Sequence, residues 1–272
     1  MSYIDSFCVN FESISSGLVN ERREQYKHYN SLSNSKLSKK KIKKFINSHL
    51  ILLKFKINLM GMQIKLFSFN PFQVNTYLLI NENRECILID AGCLDTCECT
   101  KLSSYIKENQ LSLKRVLNTH LHLDHIFGNK FLFEEFGIKP EAHKADEFLI
   151  NRFPLMAKNF GINSSTTIEP GSYLNDNDTI TLGNIKLTVL HTPGHSPGGV
   201  SFYAEDDNCL FSGDSLFLGS VGRTDLEGGD FDILKSSIVT KLFSLPKNTL
   251  VFPGHGPKTS IDFERNNNPY LR

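Results

Sequence analysis

The chain has 272 residues, of which 40% are hydrophobic and 11% aromatic, so it can bury a sizeable core in one or two domains. Its formal net charge of +1 gives no overall indication of a nucleic-acid or acidic-membrane partner. The apolar run "LILLKF" at 50–55 is far shorter than the ~20 residues that span a bilayer, so we expect no membrane segment.

The first 61 residues differ in composition from the rest of the chain. They hold eleven Lys or Arg and four Asp or Glu, a net +7, whereas residues 62–272 carry a net −6. The stretch "YNSLSNSKLSKKKIKK" is rich in Asn, Ser and Lys, which predicts a solvated or weakly helical basic extension. A nucleic-acid or acidic-membrane contact is the alternative for this run. Met60 or Met62 could also be the natural start of the protein.

The six cysteines show no spacing typical of a disulfide framework. The cluster "CLDTCEC" at 93–99 is similar to a metal-binding set, but no second cysteine pair completes a tetrahedral site. We therefore expect reduced thiols. Together with the absence of a recognisable signal peptide, reduced thiols predict a cytoplasmic protein.

From residue 62 onward the pattern predicts alternating strands and helices. Strands are expected at "QIKLFSF", "NTYLLIN" and "ECILIDAG", then a helix over 97–109 and the strand "LKRVLNTH". There follow a helix over 126–137 that ends at Gly137, the strand "IKPEAH", a helix over 144–158 and a Ser/Thr-rich loop. Strands at 179–182, 185–191, 199–204 and 208–212, a helix at 230–243 and the strand "TLVFPGH" complete one α/β domain over 62–272.

The segment "THLHLDH" at 119–125 concentrates three of the nine histidines at the end of a predicted strand. Alternate residues of an extended segment point the same way, so His120 and His122 can converge on one point. Asp124 and His125 lie where the chain turns into a helix and can face a neighbouring point. Because zinc and similar ions prefer imidazole nitrogen with some carboxylate oxygen, the pattern favours two adjacent metal sites over a solvated polar loop.

Four ligands are too few for two closed sites, and further candidates follow along the chain. His195 lies in the turn "LHTPGHSPGG", Asp214 in "FSGDSLF" and His255 in "VFPGHGP", each after a predicted strand. Side chains that follow several strands can meet at one edge of a sheet, as they do in many α/β sites. The ordered set therefore predicts a metal centre at a sheet edge.

This order of motifs resembles the metallo-β-lactamase superfamily: HxHxDH, a histidine flanked by Gly and Pro, Gly-Asp, and a histidine between glycines. The resemblance covers residues 62–271 and implies an α/β fold, a four-layer αβ/βα sandwich with a dinuclear metal site at one edge. It also implies the ligands of two divalent ions, zinc or else iron or manganese: His120, His122 and His195 for the first, Asp124, His125 and His255 for the second, and Asp214 as the bridge.

Two further segments are similar to the short glyoxalase II-like hydrolases of bacteria, "GSVGRTDLEGGD" at 219–230 and "PGHGPKTSIDFERNNNPYL" at 253–271. That group is related to hydroxyacylglutathione hydrolase and lacks its C-terminal glutathione-binding helical domain. We expect the same here, since the chain ends seventeen residues after His255. The resemblance implies hydrolysis of thioesters such as S-lactoylglutathione, a small-molecule substrate, and leaves the exact thioester open.

The implied mechanism uses no serine or cysteine nucleophile. A hydroxide shared by the two metal ions would attack the thioester carbonyl, and one ion would stabilise the oxyanion. The catalytic carboxylates would be Asp124, which orients the hydroxide, and Asp214, which bridges the ions.

The alternative within the same fold is a persulfide dioxygenase, an oxidoreductase that uses one iron held by two histidines and the bridging-type aspartate. Its sequences are similar in the "GRTD" segment but usually differ from "PGHGP" around the last histidine. The hydrolase is the favoured interpretation. A metal-binding module without catalysis is disfavoured because Asp124 and Asp214 are both present.

Four residues are candidates for substrate binding: Arg223, Lys258, Arg265 and Tyr77. The planar guanidinium of Arg223 could bind a substrate carboxylate or form an internal ion pair with Asp225 or Asp230, and the two other cations have the same alternatives. Tyr77 follows the loop "FNPFQVN", with Phe72 and Asn75 nearby. In the resembled family this loop borders the pocket, and core packing is the alternative for these three residues.

Three residues beside the motifs are assigned supporting or neutral roles. Asp90 ends the strand "ECILIDAG" and is expected to accept hydrogen bonds from metal ligands rather than to bind metal. His191 opens the turn "HTPGH" and is expected to be a hydrogen-bonded turn residue. His143 ends a strand near the site and is not expected to be a ligand.

Overall fold

The computed structural model describes residues 61–162 and 166–272. The predicted basic extension, apart from its last residue, lies outside the described residues, so that prediction stays untested. Six helices cross or flank two sheets in the described part. They are α1 Thr96–Glu108, α2 Leu123–Ile126, α3 Asn129–Phe136, α4 Glu147–Asn159, α5 Phe231–Ser237 and α6 Ile261–Asn267.

Each half of the described chain contributes one six-stranded sheet. The first sheet runs in order from β1 to β6: β1 Gln63–Phe69, β2 Val74–Ile80, β3 Glu85–Ile89, β4 Ser112–Leu117, β5 Pro140–His143 and β6 Ser172–Leu174. Neighbours are antiparallel from β1 to β3 and parallel from β3 to β6. Because parallel strands end at the same edge, the segments that follow β3 and β4 meet there.

The second sheet consists of β7 Thr179–Leu182, β8 Ile185–His191, β9 Val200–Ala204, β10 Cys209–Gly213, β13 Leu250–Pro253 and β14 Thr259–Ser260. Its order is β14-β13-β10-β9-β8-β7, and β10 and β13 are parallel. The strands β11 Leu216–Phe217 and β12 Ser220–Val221 form a separate small hairpin. Because β10 and β13 are parallel, the turns that follow them lie at the same edge of the sheet.

Alternate residues of β2 point to opposite faces of the first sheet, and all of them are buried. Each face of the sheet must therefore pack against another layer. Leu79 packs in the cluster between the sheets with Val189 and Phe202, whereas Leu78 packs with Leu102 of α1. On the outer face of the second sheet, the corresponding cluster contains residues from β10 and α5. The result is the predicted four-layer αβ/βα sandwich, in which helices cover the outer faces of two packed sheets.

The predicted helix over 126–137 is two helices, α2 and α3, interrupted at residues 127–128. At the break, Gly128 donates a 2.7 Å hydrogen bond to the carbonyl of Ala91. A Cβ on Gly128 would lie 2.3 Å from the sulfur of Cys93. The helical period is thus broken where the backbone packs directly on the loop after β3.

The other differences concern short elements or helix ends. The predicted helix over 144–158 begins with a 3-10 turn, Lys144–Asp146, and the one over 230–243 continues after Ser237 as a wide π turn, Ile238–Leu242. The sequence patterns did not predict β6, the β11–β12 hairpin, β14 or α6. Within the part of the chain that the structure describes, no helix is long and apolar enough to cross a membrane.

Candidate metal centre

The seven predicted ligands lie at one edge of the sandwich, in the segments that follow four strands. His120 and His122 come after β4, and the chain then turns into α2, which carries Asp124 and His125. The remaining three follow β8, β10 and β13: His195, Asp214 and His255. The structure thus brings together residues from four separate segments.

Three imidazoles form the first group. A ligand nitrogen of each of His120, His122 and His195 lies within 4.8 Å of the other two. His122 Nδ1 faces His195 Nε2 at 2.9 Å. All three side chains are buried, with 5% exposure or less. This is the ligand set that the family resemblance implies for the first ion.

Two imidazoles and a carboxylate form the second group, in which the ligand atoms of Asp124, His125 and His255 also lie within 4.8 Å of one another. Asp124 Oδ2 is 3.3 Å from His255 Nε2 and 3.7 Å from His125 Nε2. His255 is the most exposed of the three, with a side chain that is 25% exposed. The second group is therefore the one that opens towards solvent.

The carboxylate of Asp214 lies between the two groups. Its Oδ1 is 3.4 Å from His125 Nε2, and its Oδ2 is 3.5 Å from both His195 Nε2 and His255 Nε2. It also belongs to a third set of mutually close donors, with His120 and His125. One carboxylate can thus reach a cation in either group.

Backbone carbonyls fix the orientation of two imidazoles. His195 Nδ1 lies 2.7 Å from the carbonyl oxygen of Arg223, and His255 Nδ1 lies 2.9 Å from that of Phe72. A carbonyl oxygen only accepts, so each Nδ1 carries the hydrogen when the ring is neutral. The Nε2 atoms of both rings then carry free lone pairs, and each lies 3.5 Å from Asp214 Oδ2. This is the arrangement that metal-binding histidines use.

Asp90 holds the loop that carries the first histidines. Its Oδ2 accepts from His125 Nδ1 at 2.9 Å and from the Thr119 hydroxyl at 2.7 Å, while its Oδ1 accepts from the Thr119 amide. The same hydroxyl lies 3.0 Å from His120 Nδ1. The position matches the supporting role predicted for Asp90, which touches one candidate ligand directly and a second through Thr119.

Two buried polar atoms fit a cation at this place. His120 Nε2 and Asp214 Oδ1 find no hydrogen-bond partner among the residues that the structure describes. Buried polar atoms without a partner are rare in folded proteins because they lose their hydration without compensation. Both atoms belong to the set of donors that also contains His125, so a divalent ion would satisfy them together.

The charge states of three residues of the cluster also suit a cation. Burial lowers the pKa of His122 to about 3 and holds that of His120 well below its usual range, so both rings are neutral near pH 7. Burial would raise the pKa of Asp214, but the facing imidazoles of His125 and His195 outweigh burial and hold it well below its usual range. Neutral imidazole and ionised carboxylate are the forms that bind metal. Burial would lower the pKa of His125, but the facing carboxylates hold it well above its usual range, so that ring must lose a proton to bind a metal ion.

The predicted substrate-binding residues lie in other environments. Arg223 is paired with Asp225 through two 2.7 Å contacts, which is one of the predicted ion-pair alternatives. Tyr77 is 3% exposed and donates to the carbonyl of Pro253 at 2.7 Å, an arrangement that supports core packing.

The two remaining cations are placed differently. Arg265, on α6, donates to the carbonyl of Phe243 and lies over its ring. Lys258 is exposed in the segment before β14. The contacts of Arg265 do not bring it to the histidine cluster, and Lys258 is described only as exposed. Substrate binding by these two side chains therefore stays a prediction.

Two histidines, His191 and His143, are not expected to bind metal. His191 Nε2 lies 2.9 Å from the carbonyl of Pro197, as expected for a hydrogen-bonded turn residue, and its ring stacks on His143 with centroids 4.2 Å apart. Neither histidine belongs to a group of close metal donors among the described residues.

Asp146 is a supporting residue that the sequence did not reveal. Its buried carboxylate accepts from the Leu121 amide at 3.1 Å, the Ser196 hydroxyl at 2.8 Å and the Gly198 amide at 2.5 Å. It therefore ties the loop of His120 and His122 to the loop of His195. In the sequence it stands at the start of a predicted helix, where an aspartate usually indicates a cap, yet it makes no such cap here.

The fold and this cluster of His and Asp side chains define a metal-binding protein of the metallo-hydrolase kind. A sequence model of the metallo-beta-lactamase superfamily matches residues 69–255, and the chain belongs to that superfamily. It is 38% identical over 202 residues to the probable metallo-hydrolase YqgX of Bacillus subtilis (strain 168), covering 74% of this chain and 93% of that protein. It is 34% identical over 212 residues to the hydroxyacylglutathione hydrolase GloC of Haemophilus influenzae, covering 77% and 98%.

Solved structures agree with the fold. The chain is similar to the BLEG-1 B3 metallo-beta-lactamase, with a TM-score of 0.71 and 36% identity over 77% of this chain and 99% of the other. The di-iron-bound form of TTHA1623 gives a TM-score of 0.67 and 36% identity over 76% and 100%. ETHE1 from Myxococcus xanthus gives 0.60 and 27% over 77% and 84%.

Proposed function

We propose that the protein is a metal-dependent hydrolase of small-molecule thioesters, with S-lactoylglutathione-like compounds as substrates. The observation that carries the proposal is the position of Asp214 between two complete groups of donors. Similarity to GloC, named a hydroxyacylglutathione hydrolase, over 98% of that protein supports the choice of substrate.

We further propose two divalent ions, with zinc foremost and iron or manganese as alternatives. His120, His122 and His195 would hold one ion and Asp124, His125 and His255 the other, with Asp214 reaching both. A donor set of five imidazoles and two carboxylates suits zinc but also accepts iron. Because the chain is similar to a di-iron-bound structure, the elemental analysis must include iron.

When bound, the ion pair would supply an activated water at neutral pH and positive charge opposite the thioester carbonyl. The protein orients the reactants around it. Asp124, whose Oδ2 faces His255 and the open side of the centre, would accept a hydrogen bond from the attacking water. A thiolate leaves readily because thiols have a pKa of about 8.5, so hydrolysis needs no strong general acid from the chain.

A persulfide dioxygenase is the second candidate, since the chain is similar to ETHE1 and has two histidines and Asp214 close together. Such an enzyme needs only one iron. The second group, Asp124, His125 and His255, would then have no metal to bind, although His125 is fully buried and held by Asp90. The presence of this second complete set of donors favours the hydrolase.

The deciding experiment combines elemental analysis of the purified full chain with three assays: S-lactoylglutathione hydrolysis, oxygen uptake with glutathione persulfide, and β-lactam hydrolysis. The last is included because one structural neighbour is a B3 metallo-beta-lactamase. We expect two ions per chain and thioester hydrolysis. One iron per chain with persulfide-dependent oxygen uptake and no thioester hydrolysis would overturn the proposal. Full activity of His120→Ala would contradict the assigned site.

We also propose a cytoplasmic location. The observation that supports it is that five cysteines of the described residues are free thiols: Cys86, Cys93, Cys97, Cys99 and Cys209. Labelling of the thiols with a reagent that does not cross membranes, in intact and in lysed cells, would test this location. We expect labelling only after lysis.

A further inference from the structure

A pocket of about 330 Å³ adjoins the first group of histidines. It lies between α4 and the segment 226–227, and the His122 side chain forms part of its wall. Leu149, Met156 and Leu226 are buried or half-buried and give the wall an apolar part. A ligand in this pocket would therefore lie beside a candidate metal ligand while touching mostly hydrocarbon.

The exposed part of the pocket wall includes two charged side chains. Arg152 of α4 and Glu227 both line it, and Arg152 Nη2 lies 3.0 Å from Glu227 Oε1. The two side chains are 52% and 56% exposed. The buried part of the pocket wall is thus an imidazole and apolar side chains, and the ion pair stands in its exposed part.

We propose that this pocket binds one arm of the thioester substrate, an arm that is apolar next to the reacting carbonyl and anionic at its end. Arg152 is the residue that binds the anion and selects for it. The inference rests on the proposed thioester hydrolysis and assigns the substrate class of that same site.

The Arg152–Glu227 pair can be exchanged for a substrate anion at little cost. Exposed ion pairs contribute about 0–1 kcal/mol, because solvent and salt screen them. Only one guanidinium nitrogen of Arg152 contacts Glu227, whereas Arg223 already gives two nitrogens to Asp225. Arg152 therefore keeps donors available for the bidentate contact that a carboxylate prefers.

The size of the pocket suits one arm of the substrate. Pockets that enclose whole small ligands are about 300–1,000 Å³, so 330 Å³ stands at the lower end of that range. Leu155, which also lines the pocket, is 56% exposed and leaves apolar surface at the exposed part of the pocket. The rest of the substrate would lie across this surface in partial contact with solvent.

The first test measures binding without hydrolysis. The probe is 6-(ethylthio)hexanoate, a thioether with one arm that is apolar next to the sulfur and ends in a carboxylate, compared with its methyl ester, which lacks the negative charge. Calorimetric titration of the full chain should show that Arg152→Gln binds the acid about tenfold more weakly than the wild type does. Its affinity for the ester should be unchanged. A charged hydrogen bond of about 1.5 kcal/mol corresponds to that factor.

Two variants control this test. Lys158→Gln removes another exposed cation of α4 that does not line the pocket, and it should leave both affinities unchanged. Glu227→Gln removes the competing carboxylate and should strengthen binding of the acid. Equal weakening by Arg152→Gln and Lys158→Gln would indicate a general charge effect and overturn the proposal, as would failure of the wild type to bind the acid.

The second test separates this inference from the proposed function. Arg152→Gln should raise KM for thioesters that carry a carboxylate and leave kcat and the values for a neutral thioester unchanged. Comparing a carboxylate on the acyl arm with one on the thiol arm shows which arm enters the pocket. If the wild type hydrolyses no thioester, the proposed function fails. If it hydrolyses them and Arg152→Gln changes nothing, only the assignment of Arg152 fails.

Discussion

The backbone at Gly254 passes so close to Asp214 that a Cβ at position 254 would lie 2.1 Å from the Asp214 carboxylate. The same Cβ would lie 2.8 Å from the ring of His125. Hydrogen bonds hold this backbone on both sides, from the Gly254 amide to Gly213 and from the Asn75 amide to Gly254. Neither Asp214 nor the turn before His255 can therefore move aside freely.

A Gly254→Ala substitution is expected to displace Asp214 and to weaken metal binding more than tenfold. The added methyl group cannot be accommodated without moving a side chain that faces both groups of donors, and such overpacking also costs about 1–3 kcal/mol of stability. Competition with a chromophoric chelator measures the metal affinity. Gly61→Ala is the control, because among the described residues its Cβ would meet only Asp207, at an ordinary 3.6 Å. Equal metal affinity of the two variants would contradict the argument.

Asp90→Asn is expected to lower metal affinity 10- to 100-fold, as the loss of a hydrogen-bond partner of a metal-binding histidine usually does. The amide has one oxygen in place of two and cannot accept from His125 and both groups of Thr119 equally well. Asp95→Asn is a matched control at the cap of α1, where the side chain accepts from the Glu98 amide. Its metal affinity should not change. A similar loss in both variants would refute the proposed role of Asp90.

Removal of metal is expected to lower the melting temperature. A ligand that binds only the folded protein at a hundred times its Kd stabilises it by about 2.7 kcal/mol, and stripping it leaves His120 Nε2 and Asp214 Oδ1 buried without partners. Melting curves before and after dialysis against a chelator, and again after zinc is restored, measure this effect. An unchanged melting temperature would show that no stabilising ion binds there.

Local patterns in the sequence predicted the alternating strands and helices of one α/β domain and a metal centre at a sheet edge. The four layers and the division of the seven donors into two sets were implied by the resemblance to the metallo-β-lactamase superfamily. Hydrophobic periodicity predicts the strands, and Gly/Pro pairs predict the turns that follow them. A histidine in such a turn, like His195, can therefore be recognised from its neighbours in the sequence. The hydrogen bond from Ser196 to Asp146 joins residues 50 positions apart, and no local signal indicates it. The short strand β6 is likewise defined by its pairing with β5 rather than by its own three residues.

Two further interpretations depended on packing that a sequence does not specify. Tyr77 follows a loop near the site, but its ring lies between the sheets against Phe211 and Phe252. Gly128 stands in a run with helical spacing, and only its packing against the loop after β3, where its amide donates to the carbonyl of Ala91, shows why the helix is interrupted there. In both cases the deciding neighbour comes from a distant part of the chain.

Asp146→Asn is expected to lower both stability and metal affinity, although the new side chain has nearly the same shape. Burial raises the pKa of Asp146 despite its three hydrogen-bond donors, so the ionised carboxylate already costs desolvation free energy. An amide removes that charge, but its NH₂ group would face the donors of Leu121, Ser196 or Gly198. One donor would then lose its acceptor, at about 1–3 kcal/mol.

The change should reach the metal centre because Asp146 joins the loops of His122 and His195, the two rings of the first group that face each other at 2.9 Å. Chelator competition should therefore show weaker binding of one ion while the other is retained. Asp176→Asn tests a carboxylate that accepts from the His191 amide but makes no contact with Leu121, Ser196 or Gly198, and it should leave metal affinity unchanged. If Asp146→Asn loses stability but binds both ions as tightly as the wild type, Asp146 supports the fold without positioning the ligands.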